Sequence, residues 1–292
     1  MDDFIATIGV GVMPEGEAYA KLCVESLLNQ KYSESFEILL AQHPGYHYDI
    51  SHQIPANITI VKVDSGESLS SKRNDILRHA KGKYILFIDD DAIADELWLY
   101  TMVKGAENFD ADIFWGSIKP IFEKELPKFL LPFEIYIGGF HYNNQGRLCI
   151  KGLIGCNFGI RKGLDHSRGH FIETLGRGSE IRGGEEILYI KEYYGDKTQF
   201  IQGAVVYHHI QSHRINFKYI LYNQLNNTLS RVFINKTIGV SNKKYGIVIF
   251  SGFMKSIIPQ KNYLGYLALY LWKLMGYFKG IYKYVIAPKK EL

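Results

Sequence analysis

Tyr84-Ile85-Leu86-Phe87-Ile88-Asp89-Asp90-Asp91, residues 84–91, is an unbroken apolar run that ends in three carboxylates. A short apolar run rich in aromatic and β-branched residues reads as a buried strand. It is the most hydrophobic of a set. Residues 4–13 (FIATIGVGVM) form the first such run, and Glu17–Gln30 follow with Leu22, Leu27 and Leu28 at helical spacing. Phe36–Leu40 and Ile58–Val63 are the next two strands, and a helix-like stretch over Ser70–His79 leads into the run quoted above. Strands alternating with helices predict a mostly parallel α/β sheet. In such a sheet ligands bind outside the carboxyl ends of the strands, which is where Asp89, Asp90 and Asp91 stand.

Three adjacent anions repel one another, a cost that a divalent cation removes, and oxygen ligands select Mg²⁺ or Mn²⁺ over softer metals. On its own the triplet is equally well explained as an acidic turn capping a helix that starts near Asp95. Three other groups stand out. Gly183-Gly184-Glu185-Glu186 places an acidic pair at the start of a helix over Glu185–Tyr194, where a carboxylate could serve as a general base or simply complement the helix dipole. His208-His209 follows a strand at Thr198–Tyr207, where an imidazole could ligate a metal or bond a phosphate. Lys72-Arg73-Asn74 offers donors to a diphosphate or is a solvated helix face.

Beyond residue 110 the βα rhythm loosens into Gly-rich and aromatic segments from Phe114 to Arg182, the composition of substrate-binding loops. Trp115, Phe133, Tyr136 and Phe140 there could stack on a sugar ring or fill a core. Past Ile210 a helix is expected over Asn216–Arg231, and Tyr263–Tyr284 is apolar and aromatic but interrupted by Lys273, Lys279 and Lys283. With a charge near its middle that segment suits lying in a membrane interface better than crossing, or packing on the main domain. The net charge of +4 divides unevenly: residues 241–292 hold nine Lys and one Glu, about +8, leaving about −4 for the rest. The basic tail is mixed with Tyr, Trp, Leu and Ile rather than arranged as an Arg-rich stripe, which favours an anionic membrane surface and disfavours nucleic acid. Cys23, Cys149 and Cys156 fit neither a disulfide framework nor a zinc site, so a reducing cytoplasm is expected. Met1-Asp2-Asp3 opens without the basic and apolar regions of a secretory signal, which predicts a protein that stays inside.

In order and spacing these signals resemble glycosyltransferase family 2, over roughly residues 4–210. The matching features are Ser26-Leu27-Leu28-Asn29-Gln30, Arg73-Asn74, Ala80-Lys81-Gly82-Lys83-Tyr84, Asp89-Asp90-Asp91, Gly155-Cys156-Asn157, Gly184-Glu185-Glu186 and His208. The resemblance implies a GT-A, Rossmann-like fold, a mostly parallel sheet flanked by helices in a catalytic domain over residues 1–212; the basic, aromatic tail adds to it a helical membrane-associating extension over 213–292. It implies an inverting transfer of a sugar from a nucleoside diphosphate, most readily a UDP-sugar, to a hydroxyl of a saccharide or lipid-linked oligosaccharide in the assembly of bacterial surface polysaccharide or glycolipid. Asp89, Asp91 and His208 would hold Mn²⁺ or Mg²⁺, Glu186 would take the acceptor proton and Glu185 would orient it or serve in its stead. Asp64, Arg73, Asn74, Asp90 and Gln42 would bind the nucleotide-sugar, and Trp115, Asn157 and Gly184 the acceptor. Such an enzyme would sit in the cytoplasm, peripheral on the inner face of the membrane. Two departures stand out: the family's acidic pair is Glu-Asp, here Glu-Glu, and its second strand ends in aspartate, here Ala41-Gln42-His43. A nucleotidyltransferase would need a basic phosphate loop near the N-terminus, and Gly9-Val10-Gly11-Val12-Met13-Pro14 has none. A catalytically silent glycan-binding or scaffold protein on the same fold is the remaining alternative.

Overall fold

A computed structural model describes residues 4–13, 17–44, 54–137, 155–162, 169–193, 197–256 and 262–287. Phe140 and Cys149 lie outside the described residues. The N-terminal part runs β1 (Phe4–Gly11), α1 (Glu17–Leu28), β2 (Phe36–Gln42), β3 (Ile58–Asp64), α2 (Leu69–His79) and β4 (Gly82–Asp89). Next come β5 (Ala92–Ala94), α3 (Trp98–Asn108), β6 (Ile113–Phe122), β7 (Asn157–Arg161), α4 (Glu185–Tyr193) and β8 (Thr198–Ile210). Three helices close the chain: α5 (Phe217–Thr237), α6 (Asn242–Ser256) and α7 (Tyr263–Ile281).

The eight strands form one sheet in the order β3-β2-β1-β4-β7-β6-β8-β5. The first four are parallel, as the alternation of strand and helix requires, whereas β7 runs antiparallel to both β4 and β6, and β5 antiparallel to β8. The sheet is therefore mixed, not mostly parallel. Antiparallel neighbours need no crossover helix, so the second half leaves no βα rhythm in the sequence. Side chains alternate across the central strands as a pleat demands. Tyr84, Leu86 and Ile88 of β4 join a core with Ile8, Leu27, Phe36 and Trp98, while Ile85 and Phe87 join another with Leu39, Ile76, Phe158 and Tyr189. Burial on both faces explains why β1, β2 and β4 read as continuous apolar runs.

The chain divides into two compact units, one of residues 1–121, 140–174 and 185–209, the other of 122–139, 175–184 and 210–292. The second has its own core, in which Leu130, Phe133 and Ile137 meet Ile210, Ile220 and Leu269. Its helices pack closely through glycines: a Cβ on Gly252 of α6 would lie 2.1 Å from the Tyr270 ring of α7, and one on Gly276 of α7 would lie 2.8 Å from the Leu225 carbonyl of α5. Among the described residues no helix is long and apolar enough to cross a membrane.

Candidate functional site

The triplet Asp89-Asp90-Asp91 lies at the carboxyl end of β4, and the chain turns directly into β5. That three-residue strand pairs Ala92 with His208 of β8, and His209 N–H donates to the Asp91 carbonyl at 2.8 Å. The pairing delivers the imidazole: His208 Nε2 lies 3.2 Å from Asp91 Oδ1. Asp89, Asp91 and His208 each present one donor atom, all within 4.8 Å of one another. Asp91 is 3% exposed, and His208 Nδ1 is buried with no hydrogen-bond partner among the described residues. Two carboxylates and an imidazole, partly withdrawn from water, are a donor set that can hold a divalent metal ion. Asp90 points elsewhere and accepts the Met13 N–H at 2.7 Å, which fixes the triplet to the segment after β1.

α2 begins with a polar stretch that is nevertheless buried, from Ser70 through Asp75. Ser68 caps it by accepting the Ser71 N–H at 3.0 Å. Lys72, Arg73 and Asn74 are therefore not a solvated face. Lys72 Nζ donates to the Gly66 carbonyl at 2.5 Å, and burial lowers its pKa while Asp75, Asp90 and Glu67 pull it back up. Arg73, 2% exposed, donates to Glu185 Oε1 at 2.7 Å and to the Gly155 carbonyl at 3.0 Å, and its Nη2 lies 3.5 Å from Asp89 Oδ1. Its guanidinium also sits 5.5–6.0 Å from the ring centroids of Phe87, Phe158 and Phe171, where each ring contributes a cation–π attraction. A Cβ on Gly155 would stand 2.5 Å from Arg73 Nη2, so only glycine admits the guanidinium. Asn74 donates to the Phe171 carbonyl and accepts the Phe171 N–H, and so holds residues 171–173 against α2. As placed, Arg73, Asn74 and Asp90 bond to other groups of the protein.

The acidic pair opens α4. Glu185 is buried on Arg73, with Oε2 left without a hydrogen-bond partner among the described residues. Glu186 is partly exposed. Desolvation raises its pKa from 4.5 to about 8, with the Glu185 charge adding to the rise and Arg73 opposing it. A carboxylate tuned toward neutrality is suited to accept a proton from a hydroxyl. The pair follows Gly183 and Gly184, whose φ angles of +79° and +89° favour glycine, and a Cβ on Gly184 would lie 2.7 Å from Ile234 Cδ1.

Gln42 and Asp64 end β2 and β3 as register partners. Gln42 is buried, while Asp64 is exposed and lines a cavity of about 500 Å³ with His43, Ser65, Asp75, Arg78 and Glu173. Ser65 Oγ donates to Asp75 Oδ2 at 2.5 Å, and Arg78 pairs with the same carboxylate. Sequence reasoning missed Ser65, Asp75 and Glu173; Ser65 follows β3 and Asp75 lies within α2, while Glu173 is distant in the chain and is brought there only by the fold.

Of the aromatic residues expected to stack on a sugar, Trp115 and Phe133 are buried and Tyr136 is partly exposed. Trp115 is 1% exposed and packs near Phe158 and Phe200, because β6 lies inside the sheet with both neighbours in place. Phe133 is equally buried, against Phe217 and Tyr266. Asn157 is buried too: it accepts from Trp98 Nε1 at 2.9 Å and donates to the Ser117 and Ala204 carbonyls at 2.9 and 3.0 Å. Cys23 and Cys156 are buried free thiols, pushed well above their usual pKa by desolvation and by the nearby carboxylates, a state in which thiols are inert.

The sequence model of glycosyl transferase family 2 matches residues 8–169. The poly(ribitol-phosphate) beta-glucosyltransferase of Bacillus spizizenii is 35% identical over 115 residues, which span 36% of this chain and 18% of that protein. Among solved structures, S. aureus TarS 1–349 in complex with UDP shares 15% identity, with 98% of this chain and 93% of that one covered and a TM-score of 0.51. The same S. aureus protein in complex with UDP-GlcNAc gives 14% identity, 96% and 91% coverage and a TM-score of 0.52. The mannosyltransferase PcManGT from Pyrobaculum calidifontis in complex with GDP-Man and Mn²⁺ gives 12% identity, 98% and 76% coverage and a TM-score of 0.50. At these identities the structural likeness concerns the fold.

Proposed function

The chain belongs to glycosyl transferase family 2, and from that premise we propose that it moves one sugar from a nucleoside diphosphate to an acceptor hydroxyl with inversion at the anomeric carbon. The observation that carries the proposal is a chain of contacts: Asp89, beside Asp91 and His208, reaches Arg73, and Arg73 holds Glu185, whose neighbour Glu186 has a carboxyl raised to about 8.

Asp89, Asp91 and His208 would hold Mn²⁺ or Mg²⁺, which when bound neutralises the charge of a departing diphosphate. Glu186 takes the proton of the attacking hydroxyl. Glu185, fixed by Arg73, orients that hydroxyl through Oε2 or serves as base in its place. Asp64 and the cavity beside it receive the nucleoside, with Gln42 behind them. Arg73, Asn74 and Asp90 shape the donor site from within, as Asn157, Trp115 and Gly184 support the acceptor side. A UDP-sugar is the favoured donor, since the S. aureus protein of similar fold was solved with UDP and with UDP-GlcNAc. The acceptor is a saccharide or a lipid-linked oligosaccharide of bacterial surface polysaccharide or glycolipid assembly, in keeping with the glucosyltransferase relative. The catalytic domain is assigned to residues 1–212 and an extension to 213–292, which holds the enzyme peripherally on the cytoplasmic face of the cell membrane.

The test is a panel of nucleoside diphosphate sugars, each with Mn²⁺, Mg²⁺ or a chelator, read by slow donor hydrolysis and by thermal stabilisation. Metal-dependent hydrolysis of one donor by the wild type, lost in Asp91→Ala, is the expected result. A panel with no response would move the reading to a silent binding protein.

A further inference from the structure

α6 and α7 each carry a stripe of apolar side chains that no described residue covers. Leu271, Met275 and Phe278 of α7, and Tyr282 in the π-helical turn that continues it, are exposed at successive steps of four, three and four residues, which sets them along one side of the helix. Phe278 is 64% exposed. Another side of the helix is occupied, with Gly276 against Thr228 and Gly280 against Val232 of α5. On α6, Ile247, Phe250 and Met254 are exposed with the same kind of spacing, while Gly246 and Gly252 face Tyr277 and Tyr270 of α7. Lys273, which interrupts the apolar run in the sequence, is folded over the rings of Tyr136 and Tyr270 at 5.1 Å from each centroid. Burial lowers its pKa, and its charge is thereby drawn off the stripe.

Charge identifies what covers these stripes. From residue 197 to residue 290 the sequence contains fourteen Lys and Arg and no Asp or Glu. Lys243, Lys244, Lys255 and Lys279 are exposed next to the apolar residues. A second copy of the chain would set these lysines against one another, and a contact flanked by four exposed lysines and no carboxylate of α6 or α7 favours anions on the other side. We propose that the α6 and α7 stripes lie on a lipid surface rich in anionic headgroups, with the apolar side chains in the acyl boundary and the lysines at the phosphates. The inference rests on the membrane-associating reading of residues 213–292 and gives it a face and a lipid class.

The test is flotation of the full chain with vesicles of phosphatidylcholine alone or mixed with phosphatidylglycerol, with donor hydrolysis measured on the same samples. The wild type is expected to float only with the mixed vesicles, and less so as salt is raised. Replacing Lys243, Lys244, Lys255 and Lys279 by Gln is expected to weaken partition by about fivefold per lysine. Phe278→Asn combined with Met254→Asn is expected to abolish flotation and leave donor hydrolysis unchanged. Equal flotation with both vesicle types, or none, overturns the proposal. So does a dimer in sedimentation that the asparagine variant dissociates, which would assign the stripes to a second copy. Loss of donor hydrolysis in a wild type that still floats would instead sink the transferase reading.

Discussion

A carboxyl group that keeps its proton to about pH 8 in the folded chain and only to 4.5 when unfolded makes folding and activity respond to pH in opposite directions. For Glu186 the folded state binds more protons between those two values, so raising the pH through that window lowers stability. As the proposed base, however, Glu186 would act only once deprotonated, so kcat/KM of the free enzyme is expected to fall as pH drops below about 8, the value set chiefly by desolvation and by Glu185. Glu186→Gln should separate the two effects. It should lose about 10²–10⁴-fold in turnover while melting no lower than the wild type at pH 8, which a pH–rate profile and thermal denaturation would check. A variant that keeps turnover would move the base to Glu185. Arg73→Met leaves Glu185 as an uncompensated buried charge and is expected to cost about 3–5 kcal/mol in chemical denaturation. At this scale the sequence was legible where acids cluster locally, as in Asp89-Asp90-Asp91 and Glu185-Glu186. The contacts of Arg73 were not legible, because its partners Asp89, Gly155 and Glu185 are all distant in the chain, and only the fold brings them onto one guanidinium.

At the scale of elements, the site depends on strands that local pattern barely announces. β5 is three residues long, yet its register with β8 is what sets His208 beside Asp91. β7 is five residues long, and Asn157 at its start fastens three neighbours with one side-chain amide. Asn157→Ala leaves the Trp98 indole N–H and two backbone carbonyls without their partner, each worth about 1–3 kcal/mol when buried. A marked drop in melting temperature with little change in KM for the donor is the expected outcome; a raised acceptor KM with unchanged stability would give Asn157 a direct part in the acceptor site. The four parallel strands and their helices were readable because each buried strand is a run and each helix has its own period. β6 and β7 were not, since antiparallel pairing needs no helix between strands. α6 was passed over because Gly246, Gly252 and the β-branched run Ile247-Val248-Ile249 weigh against a helix on propensity. Packing of those glycines against Tyr277 and Tyr270 overrides that preference.

At the scale of the whole molecule, a divalent cation bound to the folded chain alone stabilises it by mass action, about 2.7 kcal/mol at a hundredfold excess over Kd. Mn²⁺ is therefore expected to raise the melting temperature of the wild type, a chelator to reverse the rise, and Asp91→Ala to show neither effect. An equal response in the variant would remove Asp89, Asp91 and His208 as the ligands. The donor set is drawn from the end of β4 and from β8, two strands separated by more than a hundred residues of chain. At ribosomal speeds of about 5–20 residues per second, roughly 5–20 seconds pass between synthesis of the aspartates and of the histidine that joins them. During that interval the nascent polypeptide already carries its parallel strands and its acidic triplet, and gains Glu185 and Glu186 shortly before the imidazole. The group of Asp89, Asp91 and His208 is complete only once β8 has been made, so the order of translation leaves that candidate cation site unformed long after the parallel strands have left the ribosome.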